Sequence, residues 1–248
     1  MTASLFFAGS GDAFGSGGRL QTCMLVQGES FGDFLLDCGS TAMIGFRRFS
    51  LDPNAVKNVF ITHLHGDHFG GLPFFILDAQ LVSKREAPLR IFLPEGGAQT
   101  LETTMEVLFP GSFHSKKKFQ IELLEMKPGE KYEADGVSVT PFPVLHGALK
   151  ALALRFECGE RILAYSGDTE WVEELVECAV GADLFVAEGY AYGKKIKFHL
   201  DIADVEENAG RIGAKNYLLT HLARNTLALS EEERLPYDAA YDGMRVGF

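Results

Sequence analysis

The chain has 248 residues, 46% of them hydrophobic and 23% charged, an ordinary globular composition with length enough for a full core. Its formal net charge is −11, which opposes a polyanionic partner, and no apolar run approaches the roughly 18 residues of a membrane span. The first residues, "MTASLFFAGSGDAF", lack a basic start and read as a first strand, not a signal peptide.

Apolar runs rich in Val, Ile, Leu and Phe recur along the chain. In order they are "SLFFAG", "TCMLVQG", "DFLLDCG", "NVFITH", "LRIFLP", "FQIELLEM", "VSVTPFPV", "ALALRFE", "RILAYSGD", "DLFVAEG" and "NYLLTH". Several are apolar at every position, as strands buried on both faces by helices are. Helical patterns fall at about Phe69–Ser83, Gly97–Leu108, Glu170–Val180 and Ile202–Ile212. The acidic start of the third suits a helix N-terminus. No long linker or repeat interrupts the alternation, so residues 1–248 are expected to form one layered α/β domain.

Cys23, Cys38, Cys158 and Cys178 are widely spaced and form no C-x-x-C pair, the pattern of unpaired core thiols in a reducing cytoplasm. The one basic cluster, "HSKKKF" from His114, reads as a solvated loop. The glycine-rich "GSGDAFGSGGR" from Gly9 matches no nucleotide cradle. Arg19 at its end has two readings, a loop residue or a contact to an anionic substrate.

The chemistry concentrates in "THLHGDHFGG", which holds H-x-H-x-D-H as His63, His65, Asp67 and His68. Imidazole and carboxylate are ligands of zinc, manganese and iron. A polar cap is a poor alternative, because burying four such groups unpaired is costly. The nearby Gly66, Gly70 and Gly71 are expected to relieve steric limits where the backbone curls. Two ions need more ligands, and further apolar strands end in them: His146, Asp168 and His221, with Glu188 on another. Functional groups collect at such strand ends in α/β sheets. The expected division places His63, His65 and His146 on one ion and Asp67, His68 and His221 on the other, with Asp168 bridging. Two such ions share a water and sharpen it into a nucleophile.

"THLHGDHFGG", "LHG" at His146, "SGDT" at Asp168 and "LTHL" at His221 resemble the metallo-β-lactamase superfamily. The likeness runs from "DCG" at Asp37 to "AAYDGMRV" near the C-terminus. It implies a four-layer αββα sandwich with two metals at the sheet edges, zinc first and manganese or iron as alternatives, and hydrolytic activity. "AEGY" at Ala187 followed by "KFHLD" around His199 looks most like the ribonuclease Z branch, which includes tRNA 3′-processing endonucleases and small-molecule phosphodiesterases. In that branch a histidine at this place protonates the leaving oxygen and a glutamate positions it. Those roles carry to His199 and Glu188, which join Asp67 as the catalytic set. A carboxylate beside His199 is expected to raise its pKa. A bystander loop histidine is the other reading.

The tRNA enzymes carry a long protruding arm, in bacterial forms between the third motif and the bridging aspartate. Here His146 and Asp168 are separated only by a segment that reads as a β-hairpin, "ALALRFECGERILAYSGD". With the acidic charge, this points to a small anionic phosphodiester rather than nucleic acid, cleaved through a hydroxide shared by the metals. The alternative on the same fold is a lactone, thioester or sulfate ester, with tRNA processing and iron-dependent dioxygenation behind it. Branch members often form homodimers, which the resemblance extends to this chain.

Overall fold

The computed structural model describes residues 3–248. In chain order it contains β1 (Ala3–Gly9), β2 (Cys23–Gly28), β3 (Phe34–Leu36), α1 (Ala42–Arg48), β4 (Asn58–Phe60), α2 (Gly66–Phe69), α3 (Leu72–Leu81), β5 (Leu89–Pro94), α4 (Gly97–Leu108) and β6 (Ile121–Met126). There follow β7 (Tyr132–Ala134), β8 (Val137–Pro143), β9 (Leu152–Cys158), β10 (Arg161–Tyr165), α5 (Glu174–Ala179), β11 (Leu184–Glu188), α6 (Ile202–Ile212), β12 (Tyr217–Thr220), α7 (Arg224–Glu231), β13 (Asp238–Ala239) and β14 (Arg245–Gly247).

The strands form two seven-stranded sheets, ordered β14-β1-β2-β3-β4-β5-β6 and β13-β12-β11-β10-β9-β8-β7. Alternation along each strand shows why so many runs are apolar throughout. Leu5 and Phe7 of β1 enter the core between the sheets, whereas Phe6 and Ala8 face the helices outside the first sheet. Phe60 of β4 points inward and stacks on Phe92 at 4.5 Å between ring centroids, while Val59 and Ile61 point outward. Three apolar layers result: one between the sheets, one beneath α1, α3 and α4, and one beneath α5, α6 and α7. This is the expected αββα sandwich.

The topology aims the chain at one rim. Strands β10, β11 and β12 are mutually parallel, and β8 shares their direction because two antiparallel steps separate it from β10. Their C-terminal ends therefore lie along one edge, the arrangement that gathers sites in α/β sheets. The two sheets meet there through Leu152 N–H donating to the Thr62 carbonyl at 3.0 Å. Gly167 sits in that seam with φ +58°, where an added Cβ would lie 2.9 Å from the Leu152 carbonyl oxygen. Glycine alone adopts such a conformation there without strain.

Local expectations are corrected in three places. The second helical pattern coincides with α4 and the first differs only at its ends, with α3 starting at Leu72 after the short α2, but the pattern from Glu170 becomes helix only at Glu174. Glu170 spends its side chain elsewhere, as described below. Gly66, Gly70 and Gly71 all have ordinary φ. The requirement at Gly71 is close approach, since a Cβ would lie 2.2 Å from the Gly39 carbonyl oxygen. Arg19 donates to the Ala240 carbonyl at 2.6 Å, a structural contact. The Lys117 ammonium of the basic cluster is bound to the Ser112 and Phe113 carbonyls of its own loop. The four cysteines are free and buried, and burial pushes Cys158 and Cys178 up to about 12.

Candidate dinuclear metal centre

Three segments of the second sheet and two of the first converge at the rim. The loop after β4 and the start of α2 bring His63, His65, Asp67 and His68. The loop after β8 brings His146, the turn after β10 brings Asp168, and the end of β12 brings His221. His221 adopts φ +59°, which turns its ring inward from the strand end. The groups resolve into His63, His65 and His146 on one side and Asp67, His68, Asp168 and His221 on the other, the ligand atoms of each lying within 4.8 Å of one another. Asp168 reaches both: Oδ1 lies 3.3 Å from His68 Nε2, while Oδ2 lies 3.4 Å from His221 Nε2 and 3.9 Å from His146 Nε2.

Hydrogen bonds behind the rings decide which nitrogen faces the centre. His146 donates from Nδ1 to the Phe198 carbonyl at 2.6 Å, which leaves Nε2 its lone pair. His68 Nδ1 donates to Asp37 Oδ2 at 2.7 Å. The Thr62 hydroxyl donates to Asp37 and so accepts from His63 Nδ1 at 3.1 Å. Such outer partners fix the tautomer and orientation of metal-binding imidazoles. Inward, His63 Nε2, His68 Nε2 and Asp168 Oδ1 are buried with no hydrogen-bond partner among the described residues, and His146 Nε2 faces His65 Nδ1 at 3.0 Å. Buried polar atoms are rarely left unpaired. Two nitrogens that close, beside orphaned carboxylate and imidazole atoms, fit a pair of bound cations.

The two halves differ electrostatically. Burial holds His63, His65 and His146 below the ordinary histidine value, so the first half offers neutral imidazoles. In the second half burial acts the same way on His68 and His221, but Asp168 and neighbouring carboxylates outweigh it and raise both. Burial works against Asp67 and Asp168, yet contacts to His68 and His221 hold both carboxyls below the usual range.

At the lip of the centre, His199 Nδ1 contacts Glu188 Oε1 at 2.5 Å. Glu188 Oε2 accepts from the Thr169 and Leu200 N–H groups at 2.9 and 3.1 Å. His199 also lies with His146 and Asp168 in a third group of convergent atoms. Tyr190 stacks on its ring at 3.9 Å and lines a cavity of about 480 Å³ with Asp12, Phe14, Tyr192 and Arg224. One expectation fails. Burial lowers the His199 pKa, and the carboxylates of Asp168 and Asp67 do not reverse it. Burial and Asp168 push Glu188 up.

Sequence reasoning found all seven groups of the cluster and the His199–Glu188 pair. It gave no role to Asp37, Thr62 or Tyr165. Asp37, fully buried with φ +57°, binds the Thr62 backbone, the Thr62 hydroxyl, His68 and the Tyr165 hydroxyl. The "DCG" likeness at Asp37 says nothing of what the carboxylate touches, and only folding brings it to His68.

A family model described as "Anti-Pycsar protein Apyc1" matches residues 3–233. The chain belongs to that family. Ribonuclease Z of Geobacillus kaustophilus is 26% identical over 275 residues, covering 88% of each chain, and ribonuclease Z of Shouchella clausii is 30% identical over 239 residues, covering 77% of this chain and 76% of its own. The first alignment is longer than this whole chain, so the relative carries segments that this Apyc1-family member lacks. Among solved structures, the short form of human tRNase Z matches with a TM-score of 0.80 at 22% identity, over 98% of each chain. A diphosphatase of the PhnP family matches with a TM-score of 0.80 at 21% identity, over 99% and 98%. The metallo-β-lactamase fold protein YhfI of Bacillus subtilis matches with a TM-score of 0.80 at 18% identity over 100% of each chain, which establishes the fold, and the ribonuclease Z relatives place the chain in the ribonuclease Z-like branch. The protein is a metal-dependent hydrolase with a centre suited to two ions.

Proposed function

We propose that the protein hydrolyses a small phosphodiester, and that His63, His65 and His146 would hold one zinc ion and Asp67, His68 and His221 a second, with Asp168 within reach of both groups. The observation that carries the reading is His199 seated on Glu188 while sharing the lip of the cluster with His146 and Asp168. When bound, the two ions supply an activated water and neutralise charge on the phosphoryl oxygens. The chain supplies the rest. Asp67 and Asp168 offer carboxylate oxygens at the attacking side, and His199 delivers a proton to the departing oxygen. Phosphodiester cleavage produces an alkoxide, and a histidine near neutral pH can protonate it. Glu188 aligns the ring through Nδ1, so the proton leaves from Nε2. The cavity beside Tyr190 would receive the leaving group, with Phe14 and Arg224 on its wall.

The relatives named ribonuclease Z favour a second reading, RNA 3′-end cleavage. Against it stand the net charge of −11 and the compact β9–β10 hairpin, which fills the span between His146 and Asp168. Initial rates on a small alkyl phosphodiester and on a precursor tRNA, measured with the same zinc-loaded protein, separate the two. Faster turnover of the small diester is expected. Efficient cleavage of the RNA with no small-diester turnover would reverse the assignment.

A further inference from the structure

Phe198 has φ +72°, a left-handed conformation that a bulky residue adopts only when its surroundings hold it there. Both polar groups of this residue are engaged. Its N–H donates to Glu170 Oε1 at 2.8 Å, and its carbonyl accepts from His146 Nδ1 at 2.6 Å. Glu170 is itself anchored next to His146, since its N–H donates to the Leu145 carbonyl at 2.9 Å. Thr169 adds a second tie, its hydroxyl accepting from Leu145 N–H at 3.1 Å. A closed ring of hydrogen bonds therefore joins the loop of His146, the turn two residues beyond Asp168 and the loop of His199. The Phe198 ring lies against Gly147, 3.9 Å from where a Cβ would stand.

We infer that Glu170 is a positioning residue, clamping the Phe198 backbone so that its carbonyl sets the His146 tautomer while the next residue, His199, is delivered onto Glu188. The consequence runs in two directions. Turned left-handed, the Phe198 backbone presents its carbonyl to His146 Nδ1, which leaves Nε2 for the first ion. The same turn is closed by His199 N–H donating to the Ile196 carbonyl at 3.1 Å, which fixes where the His199 side chain emerges. Without the carboxylate oxygen, the Phe198 N–H loses its acceptor and the residue is free to leave the left-handed region. His146 would then lose its acceptor and His199 its register together. This also explains why helix α5 starts four residues later than its sequence pattern: Glu170 faces the Phe198 loop instead of opening the helix.

The inference rests on the metal-centre reading above, but its test needs no substrate. Zinc titration calorimetry and the nitrogen-correlated proton spectrum of His146 would be recorded for wild type, Glu170→Gln, Glu170→Ala and the double variant Glu170→Ala/Phe198→Gly. Glu170→Gln keeps an acceptor oxygen and should behave like wild type. Glu170→Ala should lower affinity for the first zinc about tenfold or more, as loss of an outer partner does, and should weaken the Nδ1-protonated signal of His146. Glycine at 198 adopts positive φ at little cost, so the double variant should recover part of both. Unchanged affinity and spectrum in Glu170→Ala would overturn the inference, as would Glu170→Gln as damaged as Glu170→Ala. With a diester, Glu170→Ala should lower kcat more for alkyl than for nitrophenyl leaving groups. If no diester is turned over by any form while the metal and spectral pattern holds, the positioning role stands and the substrate reading falls.

Discussion

Replacing Asp37 by asparagine isolates what a partner behind a ligand does for the centre. The residue is fully buried, and asparagine tolerates its φ of +57°, so the backbone is not the variable. Asp37 Oδ1 accepts from the Thr62 N–H at 2.8 Å, and Oδ2 accepts from His68 Nδ1 at 2.7 Å and from the Tyr165 hydroxyl at 3.2 Å. The amide can keep its oxygen on Thr62 only by aiming its NH₂ at His68 and Tyr165. Tyr165 can rotate its hydroxyl to accept. His68 can accept only by moving its proton to Nε2, the atom that must bind the ion. Losing such an outer partner lowers metal affinity about 10–100-fold, which is about 1.4–2.8 kcal/mol. Mismatched buried polar groups add a folding cost of about 1–3 kcal/mol. Calorimetric titration of metal-free protein should show two zinc-binding steps in wild type and one markedly weakened step in Asp37→Asn, the step assigned to His68. Two unaltered steps in a folded Asp37→Asn protein would refute the reasoning that this carboxylate sets the His68 tautomer.

Further expectations follow from the same geometry. His199→Ala should cost about 10²–10⁴-fold in kcat on a diester with an alkyl leaving group and far less with p-nitrophenolate, which departs without a proton; equal losses on both would remove His199 from proton delivery. Because His68 and His221 are raised and the first three histidines are lowered, the charged imidazolium form in the metal-free protein is favoured only in the second half. Zinc binding there should release protons and tighten as pH rises through those raised values, while the first step stays flat near neutrality. Calorimetry in buffers of different ionisation enthalpy reads the proton count, and a flat second step would contradict the assignment. Burial opposes ionisation of Asp183, but Lys215, the Ile162 N–H and Arg161 bring its pKa down to about 2. A depressed carboxyl stabilises above its unfolded value near 4 and loses that contribution as pH falls toward 2. Lys215 and Arg161 are themselves well exposed, so solvent screening leaves about 1 kcal/mol. Urea melts of wild type and Asp183→Asn should differ by that much more at pH 6 than at pH 2, and a pH-independent gap would reject the pairing.

The strands of the sandwich were legible because both faces of most are buried, so apolar residues fill most positions. Leu89–Pro94 and Val137–Pro143 match their sequence runs closely. Helix α7 was not, because "RNTLALSE" buries only Thr226 and Leu227 and carries little apolar periodicity. Helix α1 was missed for a related reason: it is seven residues long, with Gly45 packed so tightly that a Cβ would lie 2.4 Å from the Ala8 carbonyl oxygen. The candidate ligands were legible because four of them share one turn and three end strands. Asp37 and Glu170 were not, since each acts on a histidine distant in sequence through a contact that exists only after folding. The His199 pKa was misjudged because a sequence shows the neighbouring carboxylate but not the depth of burial.

In the proposed reaction these seven groups and His199 serve metal-dependent phosphodiester hydrolysis. Its most direct test is turnover of bis(p-nitrophenyl) phosphate by metal-free protein reconstituted with zinc or with manganese, alongside Asp168→Ala. Turnover is expected to require added metal and to be abolished in Asp168→Ala. Wild-type protein that binds two equivalents of metal yet leaves the diester intact, while opening a lactone, thioester or sulfate ester, would contradict that reading.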